Sequence, residues 1–159
     1  MEMIELTQEL ILNEYKDLIS GRKYWAICLI MFPVFLGIGA LGGNIFAGIF
    51  MSVAMLIYMI ASTIRSNSAV RRLKSGDFVI YVDRLTYKNS HKPYSKQSTR
   101  FIIQSENLFK REFNTIPFNF DNVEAGVPFY AVYTGKKLIR LYGTHKYVLS
   151  PALYSKVAR

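Results

Sequence analysis

The feature that most constrains the fold is an uncharged run of 41 residues, Tyr24 to Ile64, without Asp, Glu, Lys, Arg or His. As one α-helix it would extend about 60 Å, whereas the hydrocarbon core of a bilayer is about 30 Å thick. Two glycines and an asparagine at 42–44 favour a turn. Because lipid offers the backbone no hydrogen-bonding partners, the run is predicted to be a transmembrane hairpin of helices 24–41 and 45–64.

Basic residues on the outer flanks of the hairpin predict its orientation. Arg22 and Lys23 precede the first helix and four bases follow the second, whereas the turn is uncharged. By the positive-inside rule, both termini are predicted to face the cytoplasm, so the chain reads as a two-pass protein of the cell (plasma) membrane. A cleaved signal peptide is disfavoured, because its apolar region would span only about 7–15 residues.

The net charge of +9 is unevenly distributed. Residues 1–23 carry five acids and three bases, whereas residues 65–159 carry 17 bases and six acids, a net charge of +11. The excess positive charge therefore belongs to the C-terminal part. The single cysteine, Cys28, lies within the first membrane helix, so one chain can form neither a disulfide nor a cysteine metal site.

Apolar spacing predicts an amphipathic helix at Ile4–Ser20, within an N-terminal cytoplasmic segment 1–23. Its apolar positions are Ile4, Leu10, Ile11, Tyr15, Leu18 and Ile19. One interpretation places this helix on the membrane. The other packs it against the basic C-terminal domain or another subunit, and it is favoured because an acidic polar face is repelled by anionic lipid.

Small residues four apart in the hairpin predict close helix packing. The pairs are Gly39 with Gly43, Gly43 with Ala47, and Gly48 with Ser52. The packing within one hairpin is favoured, and an interface between protomers is the alternative. Neither helix holds an ionisable residue, which argues against a proton relay, ion-coupled transport or voltage sensing.

Two groups of bases are the candidate sites for contact with lipid or a partner. The second helix is predicted to continue as a basic juxtamembrane extension over 65–76, capped at Gly76. Its bases would each add about 1 kcal/mol of attraction to anionic lipid, although determining topology alone accounts for them. The loop between Tyr87 and Phe101 is either a phosphate- or headgroup-binding loop or a solvated hairpin tip. The candidate contact residues are Arg65, Arg71, Arg72, Lys74, Lys88, Lys92, Lys96 and Arg100.

Residues 77–159 are predicted to form a small cytoplasmic antiparallel β domain, either a rolled sheet or a sandwich. The clearest hairpin turns at Thr134-Gly-Lys-Lys137. Ser150 is predicted to cap a short C-terminal helix that opens on Pro151, with Leu153, Tyr154 and Val157 packed on the sheet. The predicted strands are 78–82, with a possible extension to 87, then 100–104, 108–113, 127–133, 138–142 and 147–149.

Catalytic and metal-binding patterns are absent from the sequence. His91 and His145 have no cysteine or carboxylate at ligand spacing, and the nearby acids Asp121 and Glu124 are more typical of a turn than of an acid/base pair. The sequence holds no phosphate-cradling glycine loop, nucleophile elbow or zinc-protease histidine pair. We therefore expect a non-enzymatic protein without cofactor or metal.

The layout of nearly the whole chain resembles a known type of protein. A two-helix hairpin, then an aromatic-rich domain opening on Gly76-Asp-Phe-Val-Ile-Tyr-Val-Asp83 and closing on a short helix, looks like small membrane proteins of low-GC Gram-positive bacteria. Some of these are similar to membrane-tethered pleckstrin-homology-like domains. The resemblance implies a seven-stranded bent sheet capped by a C-terminal helix, and it implies no catalytic residues.

These features together predict an α+β membrane protein that acts as an anchored binding or scaffold module. It would contact a protein partner or anionic lipid headgroups at the bilayer surface. The alternative is a structural subunit of a larger membrane assembly, or a homo-oligomer, that associates through the glycine-rich hairpin. Nucleic-acid binding is disfavoured, since most aromatic residues alternate as core positions.

Overall fold

The computed structural model describes residues 3–20, 31, 33–35, 37, 41–43, 45–92 and 98–158. The chain forms two compact units: Met1–Asn13 with Arg72–Arg159, and Glu14–Arg71. The elements in chain order are β1 Ile4–Leu6, α1 Gln8–Ser20, α2 Ile45–Lys74, β2 Val79–His91, β3 Arg100–Ser105, β4 Phe113–Thr115, α3 Pro117–Asp121, β5 Pro128–Thr134, β6 Lys137–Gly143, β7 Tyr147–Leu149 and a 3-10 helix at Pro151–Lys156.

The first unit is built around the long strand β2. The strand order of the antiparallel sheet is β4-β3-β2-β5-β6. The first half of β2 pairs with β5, from Val79 opposite Tyr133 to Arg84 opposite Pro128. Its second half pairs with β3, from Leu85 opposite Ser105 to His91 opposite Arg100. The register shifts between Leu85 and Tyr87, so β2 changes partners at a bulge.

Side chains alternate between the two faces along each strand, and both faces of this sheet carry buried residues. On one face, the strands and the segment around α3 enclose a core of Leu85, Ile103, Phe109, Val123, Phe129, Ala131 and Leu141. On the other face, Ile80, Val132 and Tyr142 are fully buried. Ile80 forms a parallel bridge with Val157, just after the 3-10 helix. Aromatic residues therefore lie in both cores.

The N-terminal prediction is wrong over its first residues. Ile4–Leu6 is a strand that pairs in parallel with β7, with Leu6 opposite Leu149, and the helix begins only at Gln8. Thr7 explains this boundary, since its side-chain oxygen accepts from the Leu10 N–H at 3.2 Å in the manner of an N-cap. Leu6 and Ile11 are fully buried. The apolar spacing of residues 4–20 predicts one helix, whereas the structure changes from strand to helix at Thr7.

The helix α2 begins and ends where the sequence predicts. It runs from Ile45 through the basic extension to Lys74, after a turn at Gly42 and Gly43, and Gly43 has a φ of +69°. Most of the predicted helix 24–41 lies outside the described residues. Met31, residues 33–35, Gly37 and Leu41 are helical.

Most strand predictions in the β domain agree with the structure to within a few residues, but one is wrong. Residues 106–111 form turns and bends, and the strand β4 begins only at Phe113. Two details of the chain end also differ. Ser150 occupies the N-cap position of a 3-10 helix without a side-chain capping bond, and Tyr154 is 61% exposed.

The described strands differ in arrangement from the single bent sheet that the family resemblance implies. They form a five-stranded antiparallel sheet and a separate two-stranded parallel pair, β1 with β7. The chain closes on six residues of 3-10 helix. The antiparallel β domain with a short final helix is confirmed at this coarser level.

Candidate functional site

The helix α2 is long and apolar enough to cross a membrane, and within the described part of the chain it alone meets both conditions. Its large side chains face outward: Phe46 is 81% exposed, Phe50 73% and Tyr58 75%. Outside a bilayer, such a surface would expose a contiguous apolar face that soluble monomers avoid. This exposed apolar surface makes α2 a candidate membrane span.

The end of α2 is closed by a Schellman motif at Gly76. The N–H of Gly76 donates to the Leu73 carbonyl at 3.3 Å, and the N–H of Asp77 donates to the Arg72 carbonyl at 2.8 Å. Gly76 has a φ of +74°, a conformation that favours glycine. The predicted cap is confirmed, and it fixes the direction in which the chain leaves the helix.

Side chains from both ends of the chain bind the carbonyls at this helix exit. Gln8 Nε2 donates to the Leu73 carbonyl at 2.6 Å and to the Lys74 carbonyl at 3.2 Å. Lys156 Nζ donates to the Gly76 carbonyl at 2.6 Å. The bond to Lys74 satisfies a carbonyl that a helix end leaves without a partner, and the bond to Leu73 adds a second donor to a carbonyl that the Gly76 N–H already contacts. They tie the last turn of α2 to the segments that carry β1 and the 3-10 helix.

The predicted bases on α2 are all exposed. The four, in chain order, are Arg65, Arg71, Arg72 and Lys74. Of these, Arg72 Nε lies 3.7 Å from Asp77 Oδ2, with both side chains at least half exposed. An exposed pair of this kind stabilises a fold little, so the bases are available for contacts outside the chain.

The predicted bases of the β2–β3 hairpin do not form one surface. Lys88 donates to the Val123 carbonyl at 2.8 Å, and its ammonium lies 4.4 Å from the centre of the Phe120 ring. Arg100 pairs with His91, three residues from Lys88, so Arg100 and Lys88 lie on opposite faces. Lys92 and Arg100 are exposed, and Lys96 lies outside the described residues.

A buried carboxylate, Asp83, holds the turn after β3. Oδ2 accepts from Ser105 Oγ at 2.7 Å and from the N–H groups of Asn107 and Leu108 at 3.0 and 2.7 Å. Oδ1 accepts from the N–H of Arg84 at 2.9 Å and from Asn107 Nδ2 at 3.1 Å. Burial raises the pKa of Asp83, but these donors outweigh burial and leave its pKa below the ordinary value.

The remaining acids and histidines are spread over separate loops and strands. His145 Nε2 lies 3.3 Å from Glu124 Oε1, whereas Asp121 is exposed at the end of α3 and His91 at the end of β2. Over the described ranges, no three His, Cys, Asp or Glu side chains converge as a metal-binding group would.

Sequence reasoning missed Gln8, Lys156 and Asp83. Gln8 and Lys156 bind carbonyls 65 to 80 residues away in the chain, which no local pattern can signal. Asp83 directly follows an apolar run in β2, and a charge within a strand-like run is the signal that was available.

Comparison of the chain with protein-family models, with curated proteins and with solved structures gives no match.

Proposed function

We propose that the protein is a two-pass membrane protein, and the pairing of β1 with β7 carries this proposal. Ile4–Leu6 and Tyr147–Leu149 are bonded to each other, so they lie on one side of any membrane. Between them the chain contains α2, a candidate membrane span. Two segments on the same side require an even number of crossings between them. The uncharged run over 24–41 supplies the second crossing.

The side on which the domain lies follows from its charge. Residues 65–159 carry a net charge of +11, and bases flank both outer ends of the hairpin. Because cytoplasmic segments next to a span are enriched in Lys and Arg, we propose that the domain and both termini lie in the cytoplasm. The cytoplasmic leaflet is itself negatively charged, which attracts a basic domain held beside it.

The function best supported is that of a membrane-anchored, non-enzymatic cytoplasmic module that binds anionic lipid headgroups or a protein partner. Ten helical residues separate Ile64 from the end of α2, about 15 Å at the rise of an α-helix. A domain on so short a tether meets its bilayer at a high effective concentration, so weak contacts suffice. The exposed bases of α2 supply such contacts.

Hydrogen exchange of the full chain in nanodiscs tests this function. In discs with increasing phosphatidylglycerol, we expect amides between residues 72 and 158 to become more protected than in phosphatidylcholine discs. The added protection should fall as salt rises from low to physiological ionic strength, because screening weakens contacts between exposed charges. If no segment of the domain responds to anionic lipid, headgroup binding is excluded and a protein partner is left as the ligand.

A structural role through the hairpin is the second candidate, and the exposed apolar side chains of α2 favour it, whereas its small-residue face is already buried within one chain. Gly48 and Ser52 are buried on a helix whose other faces are exposed, and Ser52 Oγ donates to the Gly48 carbonyl at 2.9 Å. Small residues of this kind let helix backbones approach closely. Self-association of the full chain in detergent would distinguish this candidate from a monomeric anchored module.

A further inference from the structure

The end of the β2–β3 hairpin brings His91 and Arg100 together. They form the last pair of the ladder between β2 and β3, directly opposite each other. Residues opposite each other in an antiparallel pair place their Cβ atoms about 4.5–5.5 Å apart, on one face of the sheet. Both side chains are exposed, as is that of Lys92, which follows His91 in the chain. We call His91, Lys92 and Arg100 the hairpin cluster.

The hairpin cluster lies in a part of the chain that is free of acidic residues. From Arg84 to Ser105 the sequence contains five Lys and Arg residues but no Asp or Glu. The strand that pairs with β3 on its other side, Phe113–Thr115, contains no acid either. Lys92 and Arg100 therefore have no carboxylate on their own strands or on the neighbouring one. An anion from outside the chain is the partner that this surplus of positive charge attracts.

The three side chains of the hairpin cluster are donors of different kinds. The guanidinium of Arg100 presents a planar fork that matches two oxygens of an anion, and the ammonium of Lys92 is a compact charge with three N–H groups. The imidazole of His91 offers at least one N–H in either protonation state. A phosphate has three strong acceptor oxygens in a tetrahedral arrangement, whereas a carboxylate has two in one plane. Phosphate is therefore the anion that fits three separate donors.

Further polar side chains lie on the face of β2 that carries the hairpin cluster. Residues two apart on a strand share a face, so Tyr87 and Asn89 lie on the same face as His91. Asn89 Nδ2 donates to the Tyr87 hydroxyl at 2.9 Å, so this hydroxyl still has a proton to donate. Tyr87 is 40% exposed. This face therefore offers a hydrogen-bond donor beyond the cluster itself.

We propose that the hairpin cluster binds a phosphate group, with Arg100 as the forked donor, His91 as a second N–H donor and Lys92 as a supporting charge. This site is separate from the bases of α2 and goes beyond the contacts proposed for that helix. A lipid headgroup and a soluble phosphorylated compound carry the same phosphate chemistry. The same three side chains would contact the oxygens of either one.

The test uses the full chain in phosphatidylcholine nanodiscs, with inorganic phosphate as the probe. Hydrogen exchange over residues 87–92 and 98–102 is followed at fixed pH while phosphate replaces chloride at constant ionic strength. We expect phosphate to protect these amides. Arg100→Gln should raise the phosphate concentration at half-maximal protection about 10-fold, because it removes charge-assisted hydrogen bonds. Arg111→Gln is the matched control, since Arg111 is exposed on the turn after β3, and it should respond as the native chain does.

Two further arms of the experiment define the ligand. Acetate at the same ionic strength is expected to protect these amides less than phosphate does, because it offers two oxygens instead of three or more. Discs that contain phosphatidic acid, without free phosphate, present the same group on a lipid. Protection in these discs that Arg100→Gln weakens would assign the site to a headgroup, and protection by inorganic phosphate alone would assign it to a soluble compound.

Three results would overturn the hairpin site. They are no protection by either phosphate or phosphatidic acid, equal protection by acetate and phosphate, and equal weakening by Arg100→Gln and Arg111→Gln. If anionic lipid still protects other segments of the domain, the proposed anchored function stands without this site. Unfolding midpoints in neutral discs confirm that both variants fold.

Discussion

Replacing Asp83 by alanine is expected to lower the free energy of unfolding of the β domain by about 3–4 kcal/mol. The carboxylate is 5% exposed and accepts five hydrogen bonds, three of them from backbone N–H groups. Its removal leaves the buried hydroxyl of Ser105 and the part-buried N–H of Leu108 without an acceptor. Thermal unfolding of the full chain, followed by the near-ultraviolet circular dichroism of its tyrosines, measures the loss.

The effect of Asp83→Ala on the free energy of unfolding should depend on pH. Because the folded pKa of Asp83 is lowered, the stability that it contributes is fully present above its unfolded pKa of about 3.9 and is lost as the pH falls through the folded pKa. The difference in free energy of unfolding between the native chain and Asp83→Ala should therefore become smaller below pH 4. Asp77→Ala is the control, since that side chain is 68% exposed and its replacement should change stability by less than about 0.5 kcal/mol. Equal effects of the two variants would refute the role given to Asp83.

Replacing Leu6 by alanine is expected to destabilise the same unit by about 2–5 kcal/mol. Leu6 is fully buried and lies in β1 opposite Leu149 of β7. The cavity would form between segments 143 residues apart in the chain, so its effect tests whether the N-terminus belongs to the β domain. Unfolding of the full chain and hydrogen exchange of the β7 amides measure this loss of stability.

The control for Leu6 is its neighbour in the same strand. Glu5 pairs with Val148 and is exposed, so Glu5→Ala should leave stability within about 0.5 kcal/mol. If β1 were instead the first turn of a free helix, Leu6→Ala would be as mild as Glu5→Ala and the β7 amides would not respond.

Local periodicity in the sequence was enough to locate α2, its cap and most strands. The cap at Gly76 was predictable because a glycine after a helical run is chemically specific. The hairpin at Thr134–Lys137 was predictable for the same reason, and both are confirmed. The alternation of aromatic residues also indicated that the β domain has a buried core.

What local patterns could not show are the bonds between distant segments. The strand β1 exists because β7 lies beside it, and three residues carry too little periodicity to reveal that partner. Residues 108–113 have strand-like composition, but Asp83 draws the backbone N–H of Leu108 into a turn instead. Lys88 looked like part of a binding loop, whereas it bonds to Val123 across the fold.

The candidate site was predictable only in part. The bases at the end of α2 can be read directly from the sequence that follows the uncharged run. The approach of Arg72 to Gly135 gave no such signal, because it depends on how the β5–β6 turn packs.

Membrane topology is the most direct test of the anchored, two-pass arrangement. Single cysteines at Glu5→Cys, Gly42→Cys and Ser155→Cys, each in a Cys28→Ser chain, are labelled with an impermeant maleimide in intact cells and in inverted membrane vesicles. All three positions are exposed. We expect only Gly42→Cys to label in intact cells and only the other two in inverted vesicles. Labelling of Glu5→Cys and Ser155→Cys from opposite sides would contradict the even number of crossings and the account built on it.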